Sequence, residues 1–313
     1  MTKQPIYIAS RDAIHYQEIL SAKLGPEVSM GVAALDDEVL ANYNAEPVVL
    51  GSPDLLTILL ATHPPVSWVQ STWAGVRPLI ELPFRDYVLT GVKDVFGPQM
   101  AEYVLGHVLA HELRLVQRAE SQRVRQWDKT SSGRATGKTL GVMGTGSIGS
   151  SVAQMALQLG LKVLGFNSSG MSTQQFEQVY SGDSLHAFLG QCDYVTGILP
   201  DLAATTDLLN AEAFAAMKPS ALLINVGRGN LIDETALCAG LHVGQPSAAV
   251  LDVFRQEPLA ENSPLWTAPN CTITAHVAAE SCPKDITRLF LHNYLQFQHN
   301  QPLDHVVDFE KGY

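Results

Sequence analysis

The chain has 313 residues, 46% of them hydrophobic and 16% charged, which is the composition of a soluble globular protein long enough for two domains with separate cores. No apolar run reaches the roughly eighteen residues that a membrane span needs, and the opening MTKQPIYIAS lacks the apolar stretch and cleavage site of a secretory signal, so a cytoplasmic protein is expected. A formal net charge of −11 repels nucleic acid, and the densest basic stretch, Arg114, Arg118, Arg123 and Arg125, is interleaved with Glu112, Glu120 and Asp128; neither nucleic acid nor a membrane is an expected partner.

In chain order, IYIAS reads as a strand, residues 12–23 as a helix, PVVLGS as a strand, residues 53–60 as a helix and VSWVQS as a strand, with shorter pieces after it. Such alternation predicts a parallel sheet covered by helices. From Gly97 the pattern becomes one long helical stretch, PQMAEYVLGHVLAHELRLVQRAESQRVRQW, suited to a connecting or dimerising element. Within it His107 and His111 share a helix face but have no third ligand nearby, so they read as ordinary helix residues. After the loop DKTSSGRATGKT a second α/β run follows: LGVMG, a helix through Leu159, LKVLGF, a helix around Leu185, then YVTGILP, ALLINV, SAAVLDV and CTITAH. The tail reads as a helix from Pro283 to about His299 and a short strand near Val306, able to fold back onto the first domain. Cys192, Cys238, Cys271 and Cys282 form no CxxC pair and no zinc spacing, so free thiols and no metal site are expected.

In LGVMGTGSIGSS, Gly144, Gly146 and Gly149 fit GxGxxG between a strand and a helix, with a second strand at the expected distance. Amides at the helix start, about Ser147 and Ile148, are placed to bind the phosphates of a dinucleotide. The second strand should end in an acid if the ribose hydroxyls of NAD are to be bound. It ends in Asn167, Ser168, Ser169 and Gly170, with no carboxylate to repel a 2′-phosphate but no arginine or lysine following to pair with one. NAD(P)H is therefore the expected cofactor, with NADPH weakly favoured over NADH.

Taken alone, His276 in ITAHVAAES reads as a partly buried histidine among small neighbours. Its company changes the reading, because Arg228, Glu257 and His276 all follow strands, where a doubly wound sheet binds its ligands. An arginine fork holds a carboxylate, a histidine exchanges a proton with a carbonyl oxygen, and a carboxylate beside it fixes its tautomer. Together they suit reduction of a 2-oxo acid.

Over essentially its whole length the chain resembles the D-isomer-specific 2-hydroxyacid dehydrogenases, through STWAGV, the glycine loop, LPDLAATTDLLN, MKPSALLINVGRGNLIDETAL, AAVLDVFRQEPLAENSPLWTAPN and TAHVAA. The QMAEY stretch, the missing acid and the ending VVDFEKGY look most like the bacterial glyoxylate/hydroxypyruvate reductase branch. The resemblance implies two Rossmann-like domains with parallel sheets: a flavodoxin-like substrate domain at 1–97 plus 284–313 and an NAD(P)-binding domain at 98–283. It further implies that Arg228 holds the substrate carboxylate, that His276 protonates the oxygen as hydride reaches C2, and that Glu257 keeps His276 protonated. Ala74 and Gly75 match a loop that grips the carboxylate through backbone amides. Asp252 matches a residue that orients the nicotinamide amide, Met100 a position near the nicotinamide ribose, and Leu199, Pro200 and Thr205 the wall along the adenosine half; Val226, Gly227 and Ala278 belong to the same cofactor site. A homodimer is implied as well. Ala275 departs from the proline that many relatives carry before the histidine, and Arg77 stands where they often have aspartate. The expected activity is NAD(P)H-dependent reduction of a small 2-oxo acid such as glyoxylate or hydroxypyruvate to the D-2-hydroxy acid. The alternatives are a dinucleotide-sensing, corepressor-like binding protein and a dehydrogenase of another small anion.

Overall fold

The computed structural model describes residues 3–310; Met1, Thr2 and the last three residues of VVDFEKGY lie outside the described residues. The chain divides into two units, one running up to Val95 and resuming at Ser281, the other spanning Phe96–Glu280.

The first unit begins with β1 (Ile6–Ala9), α1 (Ala13–Leu24), β2 (Met30–Ala33), α2 (Asp36–Ala41), β3 (Val48–Gly51), α3 (Pro53–Leu60), β4 (Trp68–Ser71), α4 (Arg77–Ile80) and β5 (Val88–Thr90). Its five strands are parallel in the order β2-β1-β3-β4-β5. Residues IYIA, VVLG and WVQS are buried throughout, as strands covered on both faces must be. Pro53 opens α3, where its missing N–H costs nothing, and Leu55, Leu56, Leu59 and Leu60 form the stripe that faces the core. Gln70 is buried in β4 yet satisfied: its amide donates to the carbonyls of Ser71, Thr90 and Gly91 and accepts from Thr90 Oγ1. It thereby fixes the carboxyl ends of β4 and β5.

The second unit holds α5 (Gly97–Glu112), α6 (Leu115–Arg123), β6 (Thr139–Met143), α7 (Ser147–Gln158), β7 (Lys162–Phe166), β8 (Gln178–Tyr180), α8 (Leu185–Leu189), β9 (Tyr194–Gly197), α9 (Ala211–Ala216), β10 (Leu222–Asn225), α10 (Glu234–Val243), β11 (Ala248–Leu251) and β12 (Cys271–Ile273). Its seven parallel strands run β12-β11-β10-β9-β6-β7-β8. Successive residues of a strand face opposite sides. Leu223 accordingly joins the layer of Phe188, Phe214, Leu237 and Leu251, while Ile224 joins that of Val104, Val108, Val152 and Ala156. Within the first unit the tail helix α11 (Pro283–Gln298) packs on α1, stacks Phe290 on Trp68 at 5.0 Å between ring centroids, and is followed by a bridge from Val306 to Thr90.

One expectation is corrected. The long helical stretch after Gly97 is two helices, broken at Arg114, whose φ of +54° is left-handed. The cause lies in α6, which buries no residue and so gains nothing by continuing along the core that α5 covers. Arg118 stabilises the break by donating Nε to the Leu113 carbonyl at 2.9 Å and Nη2 to the Thr130 carbonyl at 2.8 Å. Among the described residues no helix is long and apolar enough to cross a membrane.

Candidate active site

The order of the larger sheet reverses at β6, from which the chain passes outward to β7 on one side and later returns to β9 on the other. The crevice at the carboxyl ends of such neighbours is where open α/β sheets bind ligands. The glycine loop opens there. Gly144 has φ +109°, closed to residues with a Cβ, and a Cβ on Gly149 would lie 1.9 Å from the Gly144 carbonyl oxygen, so the helix start packs directly on the loop. At Gly146 no atom lies within 4 Å of where a Cβ would be. Gly146 and Ser147 are exposed and Ile148 is half-buried, so the first turn of α7 faces open space. An open loop at a helix N-terminus fits the pyrophosphate of a dinucleotide.

Asn167, after β7, is a brace. Its Oδ1 accepts from the Ser169 and Gly170 amides at 3.0 and 2.7 Å, and its Nδ2 donates to Thr145 Oγ1 at 2.7 Å. Ser168 and Ser169 are exposed beside it. Thr205, after β9, spends its hydroxyl inside its own loop, donating to the Pro200 carbonyl at 2.7 Å and accepting from the Leu202 amide, while Leu199 packs partly against the core and Pro200 is exposed. Val226 and Gly227 are buried where the chain leaves β10, and a Cβ on Gly227 would meet the Leu199 backbone at 2.9 Å. Met100, on α5, packs against the core layer that includes Val104.

Arg228 follows directly. Asn225 shapes its turn, accepting from the Gly227 amide and donating to the Arg228 carbonyl at 3.0 Å. The guanidinium donates Nη1 to the Gly227 carbonyl at 2.6 Å, and among the described residues no carboxylate forms an ion pair with it. Burial pulls its pKa below the ordinary arginine value, opposed by the charges of Glu257 and Asp201. A half-buried guanidinium without a salt bridge can receive an anion.

Glu257 uses both oxygens: Oε1 accepts from the Phe254 amide at 2.9 Å, and Oε2 meets Nδ1 of His276 at 2.8 Å. With Nδ1–H donated to the carboxylate, Nε2 is the ring nitrogen left for a further partner, on a side chain that is 51% exposed. His276 has φ +55°, a conformation that costs a residue with a Cβ about 1–2 kcal/mol. Asp252 holds it there. The Asp252 carbonyl accepts from the His276 amide at 2.8 Å; its Oδ1 accepts from Thr274 Oγ1 at 2.5 Å and the Val277 amide at 2.9 Å, and its Oδ2 from the Ala278 amide at 2.9 Å. Asp252, only 1% exposed, thus serves the histidine loop with every acceptor it has. Ala278 is buried in the core layer of α5 and α7.

Ala74 and Gly75 belong to the first unit, in the loop after β4. That loop is shaped by Ser71, whose hydroxyl donates to the Trp73 carbonyl at 3.0 Å, and by Ser281, which donates to the Thr72 carbonyl at 2.6 Å. Sequence reasoning passed over Thr145, Asn225 and Thr274, whose roles are hydrogen bonds made across the fold. Only the place of Asn225, at a strand end just before GRG, hinted at one.

A family model, D-isomer specific 2-hydroxyacid dehydrogenase, NAD binding domain, matches residues 105–278. Glyoxylate/hydroxypyruvate reductase A of Serratia proteamaculans is 33% identical over 263 residues, covering 82% of this chain and 84% of its own. A D-isomer specific 2-hydroxyacid dehydrogenase family protein of Aeromonas salmonicida superposes with a TM-score of 0.93 at 39% identity, over 98% of this chain and 99% of its own. The NADPH-dependent glyoxylate/hydroxypyruvate reductase of Sinorhizobium meliloti, solved with NADP and sulfate, gives a TM-score of 0.86 at 28% identity over 99% of this chain and 100% of its own.

Proposed function

Because the chain belongs to the D-isomer specific 2-hydroxyacid dehydrogenase family, and is thereby an NAD(P)-dependent oxidoreductase, we propose that it reduces a small 2-oxo acid of the glyoxylate or hydroxypyruvate kind to the D-2-hydroxy acid, with NADPH preferred. The observation that carries this reading is the guanidinium of Arg228, half-buried, without an ion pair among the described residues, and near enough to Glu257 to feel its charge. A 2-oxo carboxylate supplies the missing anion, and the remaining N–H donors of the fork reach the C2 oxygen and polarise it. A nicotinamide dinucleotide held at the glycine loop supplies the hydride. His276 donates the proton to the C2 oxygen from Nε2, and Glu257 holds the ring by Nδ1 and balances its charge. The preference for NADPH is supported by the neutral Asn167 and the exposed Ser168 and Ser169, which leave a 2′-phosphate unrepelled.

The test is steady-state oxidation of NADPH and NADH with glyoxylate, hydroxypyruvate, pyruvate and phenylpyruvate, with His276→Ala and Arg228→Lys as controls. His276→Ala should lose about 10²–10⁴-fold in kcat, the usual worth of a positioned acid, while still binding cofactor. Arg228→Lys should raise KM and cut kcat, since an ammonium cannot make the fork. Normal turnover in His276→Ala would remove the proposed proton donor, and cofactor binding without reduction of any oxo acid would favour a binding protein. The exposed Leu113, Leu115, Val116, Val124 and Trp127 around α6 support a homodimer through that face. Light scattering of the wild-type chain and of Val116→Glu tests this, and a wild-type monomer would refute it.

A further inference from the structure

The loop from Thr274 to Glu280 carries His276 and is tied at both ends to α5. At its start Tyr103 Oη and Thr274 Oγ1 lie 2.6 Å apart. The direction of that bond follows from counting protons: the single hydroxyl proton of Thr274 goes to Asp252 Oδ1, so Thr274 accepts and Tyr103 donates. Burial pushes the Tyr103 phenol above its ordinary pKa, which favours the protonated, donating form. At the far end Gln99 makes a paired contact with one residue, accepting from the Glu280 amide at 3.0 Å and donating to the Glu280 carbonyl at 3.1 Å. Gln99 and Tyr103 are four residues apart on α5 and therefore share a face. Between the two ties lies His276 in its left-handed conformation, with Asp252 holding the amides of His276, Val277 and Ala278.

We infer that Tyr103 and Gln99 are positioning residues for the reaction: with Thr274 as relay to Asp252, they hold the histidine loop in the conformation that aims Nδ1 of His276 at Glu257. The inference rests on His276 being the proton donor. Neither residue has a hydrogen bond to Arg228, Glu257 or the His276 ring, so both act through the backbone of the loop. Without the ties the strained φ of His276 can relax, and the imidazole turns away from its partner.

Purified full-length Tyr103→Phe, Thr274→Val, Thr274→Ser, Gln99→Met and the double variant Tyr103→Phe/Thr274→Val decide the matter, assayed with NADPH and the best oxo acid. The loss of one part-buried hydrogen bond predicts that Tyr103→Phe lowers kcat about 5-fold, with KM for NADPH unchanged. Gln99→Met should fall by a similar factor. Thr274→Ser keeps the relay hydroxyl and should retain wild-type kcat, whereas Thr274→Val should lose at least as much as Tyr103→Phe. Because Tyr103 works through Thr274, the double variant should be no slower than Thr274→Val. Wild-type kcat in Tyr103→Phe, or losses that multiply in the double variant, would overturn the inference. If Thr274→Val fails to fold, Tyr103→Phe and Thr274→Ser decide alone. His276→Ala separates the two readings. Normal turnover there removes the proton donor itself, while a dead His276→Ala beside a fully active Tyr103→Phe removes only the positioning role.

Discussion

Asp252→Asn swaps one buried oxygen for an amino group and nothing else, which makes the worth of the clamp on His276 measurable. The carboxylate has three donors on two oxygens: Thr274 Oγ1 and the Val277 amide on Oδ1, and the Ala278 amide on Oδ2. Asparagine does least damage with its amino group at the Oδ2 position, where it faces the Ala278 N–H, donor against donor. Leaving that buried amide unsatisfied costs about 1–3 kcal/mol. The two bonds that survive lose their charge assistance, about 1 kcal/mol each. Against this, a neutral amide is easier to bury than a carboxylate, and the return is of order 1–2 kcal/mol. The net is a destabilisation of about 2–3 kcal/mol, which for a unit of roughly 150–250 residues lowers Tm by about 5–10 °C. Differential scanning calorimetry reads that shift, and steady-state NADPH oxidation on the same protein reads the effect on His276, where kcat should fall by more than 10-fold as its backbone is released. A variant melting within a degree of wild type with normal kcat would refute the clamp and leave Asp252 free for a ligand.

Two further outcomes follow from side chains already placed. Asn167→Asp keeps the acceptor for the Ser169 and Gly170 amides but puts a negative charge where a 2′-phosphate is expected; the ratio of kcat/KM for NADPH over NADH should fall at least 10-fold, and an unchanged ratio would show that selection lies elsewhere. Burial pushes the Cys192 and Cys271 thiols up to about 12, so at pH 8 both lie far on the thiol side and should be silent to Ellman's reagent in the folded protein; rapid titration of all four cysteines without denaturant would contradict this.

The sequence was most readable where one physical requirement acted alone. Strands such as VVLG and LLIN are continuous apolar runs because both faces of a parallel sheet are covered, and the glycine loop is visible because its geometry excludes side chains at Gly144 and Gly149. The three polar residues after β10, β11 and β12 stood out because strand ends in this architecture face ligands. Less was legible where forces were mixed. The edge strand MGVA is small and half-buried, and the short helices α2 and α9 have too few turns to show a period, so none of the three was anticipated. The break at Arg114 follows from α6 having nothing to bury, a fact about its surroundings. The duties of Asp252, Thr274 and Tyr103 likewise depend on which elements the fold brings together, because hydrogen bonds across 22 and 171 positions of sequence leave no local pattern.

Under the proposed function, the reversal of strand order at β6 also places the residues for nucleotide choice and those for acid chemistry in separate parts of the sheet. The loop braced by Asn167 hangs from β7, on one flank of β6, whereas Arg228, Glu257 and His276 follow β10, β11 and β12 on the other, with β9 between. Changes at one flank share no hydrogen bond with the other, so their energetic effects should add. If the proposed roles hold, one nucleotide could be traded for another without retuning the acid chemistry, by grafting the single loop that Asn167 braces.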